Sequence, residues 1–135
     1  MNVQALIDGM GMQMQKERAE TQLTLGKLIK ALEAMPADAE VANLFNLHSF
    51  RGYYEDLAFE QDEGLRKVSG LLAECKNAMG QVFEGYKGGD YVMGELTPLW
   101  ISEYGFSSDI RLMAVHAGGQ IETKNQNLYA KHSSP

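Results

Sequence analysis

The chain has 135 residues but a single cysteine, Cys75, so no disulfide can close within it. That thiol sits in a helical pattern with no second thiol beside it, which agrees with a reducing compartment. Basic residues are also in short supply: twelve lysines and arginines stand against eighteen acids, for a net charge of −6 at pH 7. Non-specific nucleic-acid binding relies on cations that displace counterions from phosphates, so direct non-specific binding of this kind is not expected. No apolar run approaches the roughly 18 residues that a membrane helix needs. The first twenty residues, "MNVQALIDGMGMQMQKERAE", have neither a basic start nor an unbroken apolar stretch, so neither a secretory signal nor a membrane partner is expected.

Catalytic signatures are equally sparse. His48, His116 and His132 lie far apart, with none of the spacings that place two imidazoles on one metal. No serine stands in a nucleophile-elbow context, and no motif implies a cofactor or a metal. His48 or His116 beside a carboxylate is the form a small hydrolase would take.

What is present suits one folded domain: 44% of the residues are hydrophobic and 22% charged. Residues 1–22 read as a methionine-rich N-terminal helical extension. Val3, Leu6, Ile7, Met10 and Met14 make its stripe, weakened by Gly9 and Gly11. Residues 23–121 read as a single α+β domain and 122–135 as a flexible polar tail. Thr24 caps a helix with Leu25, Leu28, Ile29, Leu32 and Met35 on its apolar face, and Pro36 stops it. A strand is expected from Glu40 to Leu47. A second covers "YYEDLAFE", where Tyr53, Glu55, Leu57 and Phe59 alternate with Tyr54, Asp56, Ala58 and Glu60, so that the second set forms a largely acidic face. "QDEG" reads as the turn that follows. The next helix has Ser69 as its cap, Val68, Leu71, Leu72 and Cys75 on its apolar side, and Gly80 at its stop. "YVMGELTPLWISEYG" gives one bent strand or two short ones, with Pro98 at an edge, a bulge or a strand start. "DIRLMAVHAGG" reads as the last strand. The order α-β-β-α-β-β predicts a four-stranded, mainly antiparallel sheet with two helices on one face.

Two stretches concentrate binding chemistry. In "GYKGGD", Gly88 and Gly89 either bend a turn through positive φ or present backbone N–H groups to an anion, with Lys87 supplying charge and Asp90 closing the segment. Tyr86 and Tyr91 flank it as flat apolar surfaces. In "HSFRGYYED", Arg51 beside Tyr53 and Tyr54 joins a planar cation to aromatic rings, and Asp56 supplies either an acidic contact or an internal partner for the arginine.

The stretches "LGKLIKALEAMPADAEV", "SFRGYYEDLAFE" and "GYKGGDYVMGELTPLWISEYG" resemble a group of small bacteriophage- and prophage-encoded accessory proteins. The similarity covers about residues 24 to 118 and carries no catalytic residues. It implies a protein of the cytoplasm of an infected or lysogenic bacterial cell that acts by binding. The implied partner is a host protein or defence complex, or else a nucleotide-like small molecule held at a subunit boundary. A homodimer is expected, two-fold assemblies being the commonest.

Overall fold

A computed structural model describes residues 21–50, 56–84, 90–102 and 110–125. Within them α1 (Leu25–Glu33) leads into β1 (Glu40–Ser49) and β2 (Leu57–Lys67), and α2 (Val68–Ala78) follows. Then come β3 (Val82–Glu84), β4 (Asp90–Val92), β5 (Leu99–Ile101), β6 (Ile110–Val115) and β7 (Ile121–Asn125). Most of the expected N-terminal extension and residues 126–135 lie outside the described residues.

The α1 helix forms as its sequence dictates. Thr24 is extended, and its hydroxyl accepts from Lys27 N at 3.3 Å, satisfying one of the donors that a helix start leaves open. Leu25, Leu28 and Leu32 are buried. The second helix departs from expectation by starting at Val68, directly after β2, with Lys67 as a cap that makes no side-chain bond. Carbonyls from the α1–β1 turn replace the expected Ser69 cap: Val68 N donates to Ala39 O at 2.8 Å and Ser69 N to Ala37 O at 3.1 Å.

Among the described residues the architecture is α+β, with α1 and α2 on one face of a mainly antiparallel sheet. That sheet has five strands, not the four expected, in the order β1-β2-β5-β6-β7, and β3 and β4 form a separate two-stranded ribbon. The one parallel pair, β2 with β5, follows from the α2 crossover between them, since parallel neighbours cannot be joined by a tight turn. "QDEG" is no turn. Gly64, at φ 90°, lies in an irregularity of the β1–β2 ladder, and β2 runs on through it to Lys67. Nor is 110–115 the last strand, because β7 takes in residues 122–125, assigned above to the tail.

Side chains alternate across the sheet. Leu57, Phe59, Leu99, Ile101 and Leu112 face the helices and join Leu28, Leu71 and Cys75 in the main core. Ala58 and Trp100 face the other way and form a second, small cluster with Phe50.

The N-terminus of α1 lies against the turn before β5. Gly26 N donates to Glu95 O at 3.0 Å, and a Cβ on Gly26 would stand 2.9 Å from both Glu95 Cβ and Glu95 O. Ala has the better helix propensity, by about 1 kcal/mol. Here, however, backbone has to move, and overpacking of this kind costs about 1–3 kcal/mol. Gly26→Ala is therefore expected to lower stability by about 1 kcal/mol, measured by urea denaturation, rather than raise it as at an open helical site.

Candidate functional site

The face opposite α1 and α2, helix-free among the described residues, carries one registered residue from each of the five strands. His48 pairs with Ala58, Ala58 with Trp100, Trp100 with Arg111, and Arg111 with Lys124. Registered partners share a face, so these side chains form a row across the sheet. At its centre Trp100 is fully buried, stacked on Phe50 with ring centroids 4.6 Å apart and planes 17° from parallel. Its Nε1 donates to Asp56 Oδ2 at 2.9 Å, while Phe50 N donates to Asp56 O at 2.9 Å. Asp56 therefore holds the near ends of β1 and β2 together and fixes the indole.

This corrects the expected acidic face. Asp56 is 0% exposed, and its partner is an indole N–H, so it is not available as a surface contact. A carboxylate is stable in such a place only when strong donors replace water. Arg51, Tyr53 and Tyr54, expected beside it, lie outside the described residues, as do Tyr86, Lys87, Gly88 and Gly89.

Beyond Trp100 the row turns cationic. The Arg111 guanidinium lies over the indole, 5.9 Å from its centroid, and Arg111 Nε is buried with no hydrogen-bond partner among the described residues. Lys124 is exposed next to it. At the opposite end of the row, His48 Nδ1 stands 2.6 Å from Asn46 O. A carbonyl only accepts, so that ring nitrogen carries the hydrogen. Across the turn joining β6 to β7, His116 pairs with Glu122 of β7, Nε2 to Oε1 at 2.8 Å.

Asp90 and Tyr91 belong to the β3–β4 ribbon. Its register is Val82 with Val92, Phe83 with Tyr91 and Glu84 with Asp90. Phe83 and Tyr91 pack against the main core, so the opposite face of the ribbon looks outward. There Val82 is 57% and Val92 63% exposed, directly across from each other. The ladder continues inward through Met93 N to Gln81 O at 2.9 Å and Gly80 N to Met93 O at 2.8 Å, which ties the ribbon to the end of α2.

No family model matches the chain, and no curated protein or solved structure matches it significantly. Function must be read from its surfaces. The Cys75 thiol is not a nucleophile in this fold: burial first, and then the neighbouring Glu74 charge, push it up to about 12, against a smaller opposing effect of Arg66. Among the described residues no group of three or more His, Cys, Asp or Glu is placed to hold a metal ion, and no helix is long and apolar enough to cross a membrane. Between α1 and α2 a shallow groove of about 400 Å³ is lined by Leu32, Met35, Val68 and Leu72, with Lys76 and Glu33 paired at 3.4 Å on its rim.

The Arg111–Lys124 pair was not visible in the sequence. Arg111 sits in a run that reads as apolar strand, and Lys124 in one that reads as tail. Only the register of β6 against β7 makes them neighbours.

Proposed function

We propose that this is a non-enzymatic, phage-derived binding protein that docks on a host protein and inhibits a host process, foremost an antiviral defence. The observation that carries this reading is the β3–β4 ribbon. One of its faces is anchored in the core, the other presents the exposed Val82–Val92 pair, and among the described residues its two strands pair only with each other. Exposed apolar side chains on a ribbon that no further described strand covers suit strand-to-strand or face-on docking of a partner. The ribbon also carries Asp90 and Tyr91, from one of the stretches most specific to the phage-protein resemblance. A cytoplasmic homodimer in the infected cell belongs to the same reading.

The test is a plating assay in a bacterial host that carries a defence system, comparing wild type with the Val82→Lys/Val92→Lys double variant. Wild type should restore phage plating, and the double variant should lose at least about tenfold of that effect, as when an interface contact worth 1.4 kcal/mol is removed. Its melting temperature should hold, because both side chains are exposed. Full activity of the folded double variant would remove the ribbon from the mechanism.

Sequestration of a nucleotide-like molecule is the second reading. It is favoured by the adjacent cations Arg111 and Lys124 on the helix-free face, which no described acid neutralises.

A further inference from the structure

We infer that Arg111 and Lys124 together form a binding site for one phosphate group of a small molecule, at the β6–β7 end of the helix-free face. The site is independent of docking through the β3–β4 ribbon. It supplies the sequestration reading with residues that the sequence did not suggest.

Four observations converge. First, Arg111 and Lys124 are registered partners in an antiparallel ladder, which holds their Cβ atoms about 5 Å apart on the same face. Like charges placed directly opposite repel, and an anion between them reverses the sign of that interaction. Secondly, no described acid neutralises either cation. Among the described residues Arg66 pairs with Glu74 and Lys76 with Glu33, His116 is hydrogen-bonded to Glu122, and neither Arg111 nor Lys124 has an acidic partner. In a chain with eighteen acids and twelve cations, two adjacent cations without a counter-charge among the described residues stand out. The described carboxylates on this face have other partners: Asp56 accepts from the Trp100 indole, and Glu122, which precedes Lys124 by two residues on the same face, is held by His116.

Thirdly, Arg111 Nε is buried and has no hydrogen-bond partner among the described residues. Buried N–H groups are almost always satisfied, and a bound oxyanion would satisfy this one. Fourthly, the guanidinium is pre-oriented. It lies over Trp100, which is itself fixed by its stack on Phe50 and its bond to Asp56. A planar fork held in place beside a mobile ammonium suits the several oxygens of a phosphate. Trp100 is fully buried, so the aromatic ring serves as a backing and not as a stacking platform for a base. Recognition at this point is therefore of the phosphate group itself.

Trp100 is the only tryptophan in the chain, and Arg111 lies against it, which makes its fluorescence a direct reporter. The experiment titrates the full chain with inorganic phosphate and, separately, with AMP, the ionic strength being held constant with sodium chloride. A parallel NMR titration follows the Arg111 Nε–H resonance. A saturable response that moves Arg111 Nε–H is expected with both. An equal affinity identifies free phosphate as sufficient, and a tighter one for AMP identifies a phosphorylated small molecule as the ligand. Lys124→Gln, an exposed substitution that leaves folding intact, should weaken binding about tenfold, the effect of losing one charge-assisted contact of 1.4 kcal/mol. Arg111→Lys keeps the charge and should still lose binding, because the fork is gone. No saturable response to either probe, or an affinity unchanged in Lys124→Gln, would overturn the site.

Discussion

Replacing Trp100 with alanine is expected to destabilise the protein by about 3–5 kcal/mol, the range for truncating a large buried aromatic side chain. The value falls at the high end because three interactions leave together. The indole is fully buried, its ring is stacked 4.6 Å from Phe50, and its Nε1 donates to Asp56 at 2.9 Å. Loss of ordinary packing is separable from loss of the polar bond. Trp100→Phe keeps a ring against Phe50 but removes the N–H from a buried carboxylate, and it should cost about 1–3 kcal/mol from that source. Asp56→Asn keeps an acceptor for the indole and should cost less than Asp56→Ala. Urea denaturation followed by far-ultraviolet circular dichroism is the appropriate measurement, because two of these variants lack the fluorophore. If Trp100→Ala unfolded at the wild-type midpoint, the Asp56–Trp100 bond would not be a clasp between the start of β2 and β5.

That clasp also shows where the sequence could be read and where it could not. The α1 helix was legible because a capping threonine, a leucine stripe at helical spacing and a following proline all point to one structure. The length of β2 was not, because a glycine in an acidic stretch has the chemistry of a turn, whereas here the left-handed Gly64 serves an irregularity within a continuous strand. The mixed sheet was illegible for another reason: the parallel β2–β5 contact is only three residue pairs long and leaves no periodic signal of its own. Asp56 read as a surface acid because acids usually are. Its partner lies 44 residues away, and only the sheet brings them together. The same holds for Arg111 and Lys124, whose placement side by side depends on a register that neither local pattern contains.

Registers of this kind depend on how irregular points in the ladders are stabilised, and one such point has its own ion pair. Between Phe45 and His48 strand β1 carries one residue more than β2, and Asn46 there adopts φ 50°. Arg66 and Glu74 fasten this bulge. Arg66 Nη1 donates to Leu44 O at 2.7 Å and to Glu74 Oε1 at 2.9 Å, and Glu74 Oε2 accepts from Leu47 N at 2.7 Å. Leu44 O precedes the bulge and Leu47 N lies in it, and each is paired with a charged side chain. Glu74→Ala removes two charge-assisted bonds and leaves Arg66 half-buried without its counter-ion, for an expected loss of about 2–3 kcal/mol. The figure stays below the roughly 3–5 kcal/mol for breaking a fully buried pair, because the Arg66 and Glu74 side chains are 23% and 28% exposed. Glu74→Gln retains an acceptor and should lose about half as much. In a double-mutant cycle with Arg66→Ala the two losses should fall short of additive by about 1 kcal/mol or more, since the two residues share one contact. Full additivity would mean that each fastens its own backbone group independently. The consequence reaches the helix-free face: without the bulge every β1 residue from His48 onward would move to the other side of the sheet, so the ion pair keeps His48 in line with Ala58 and Trp100.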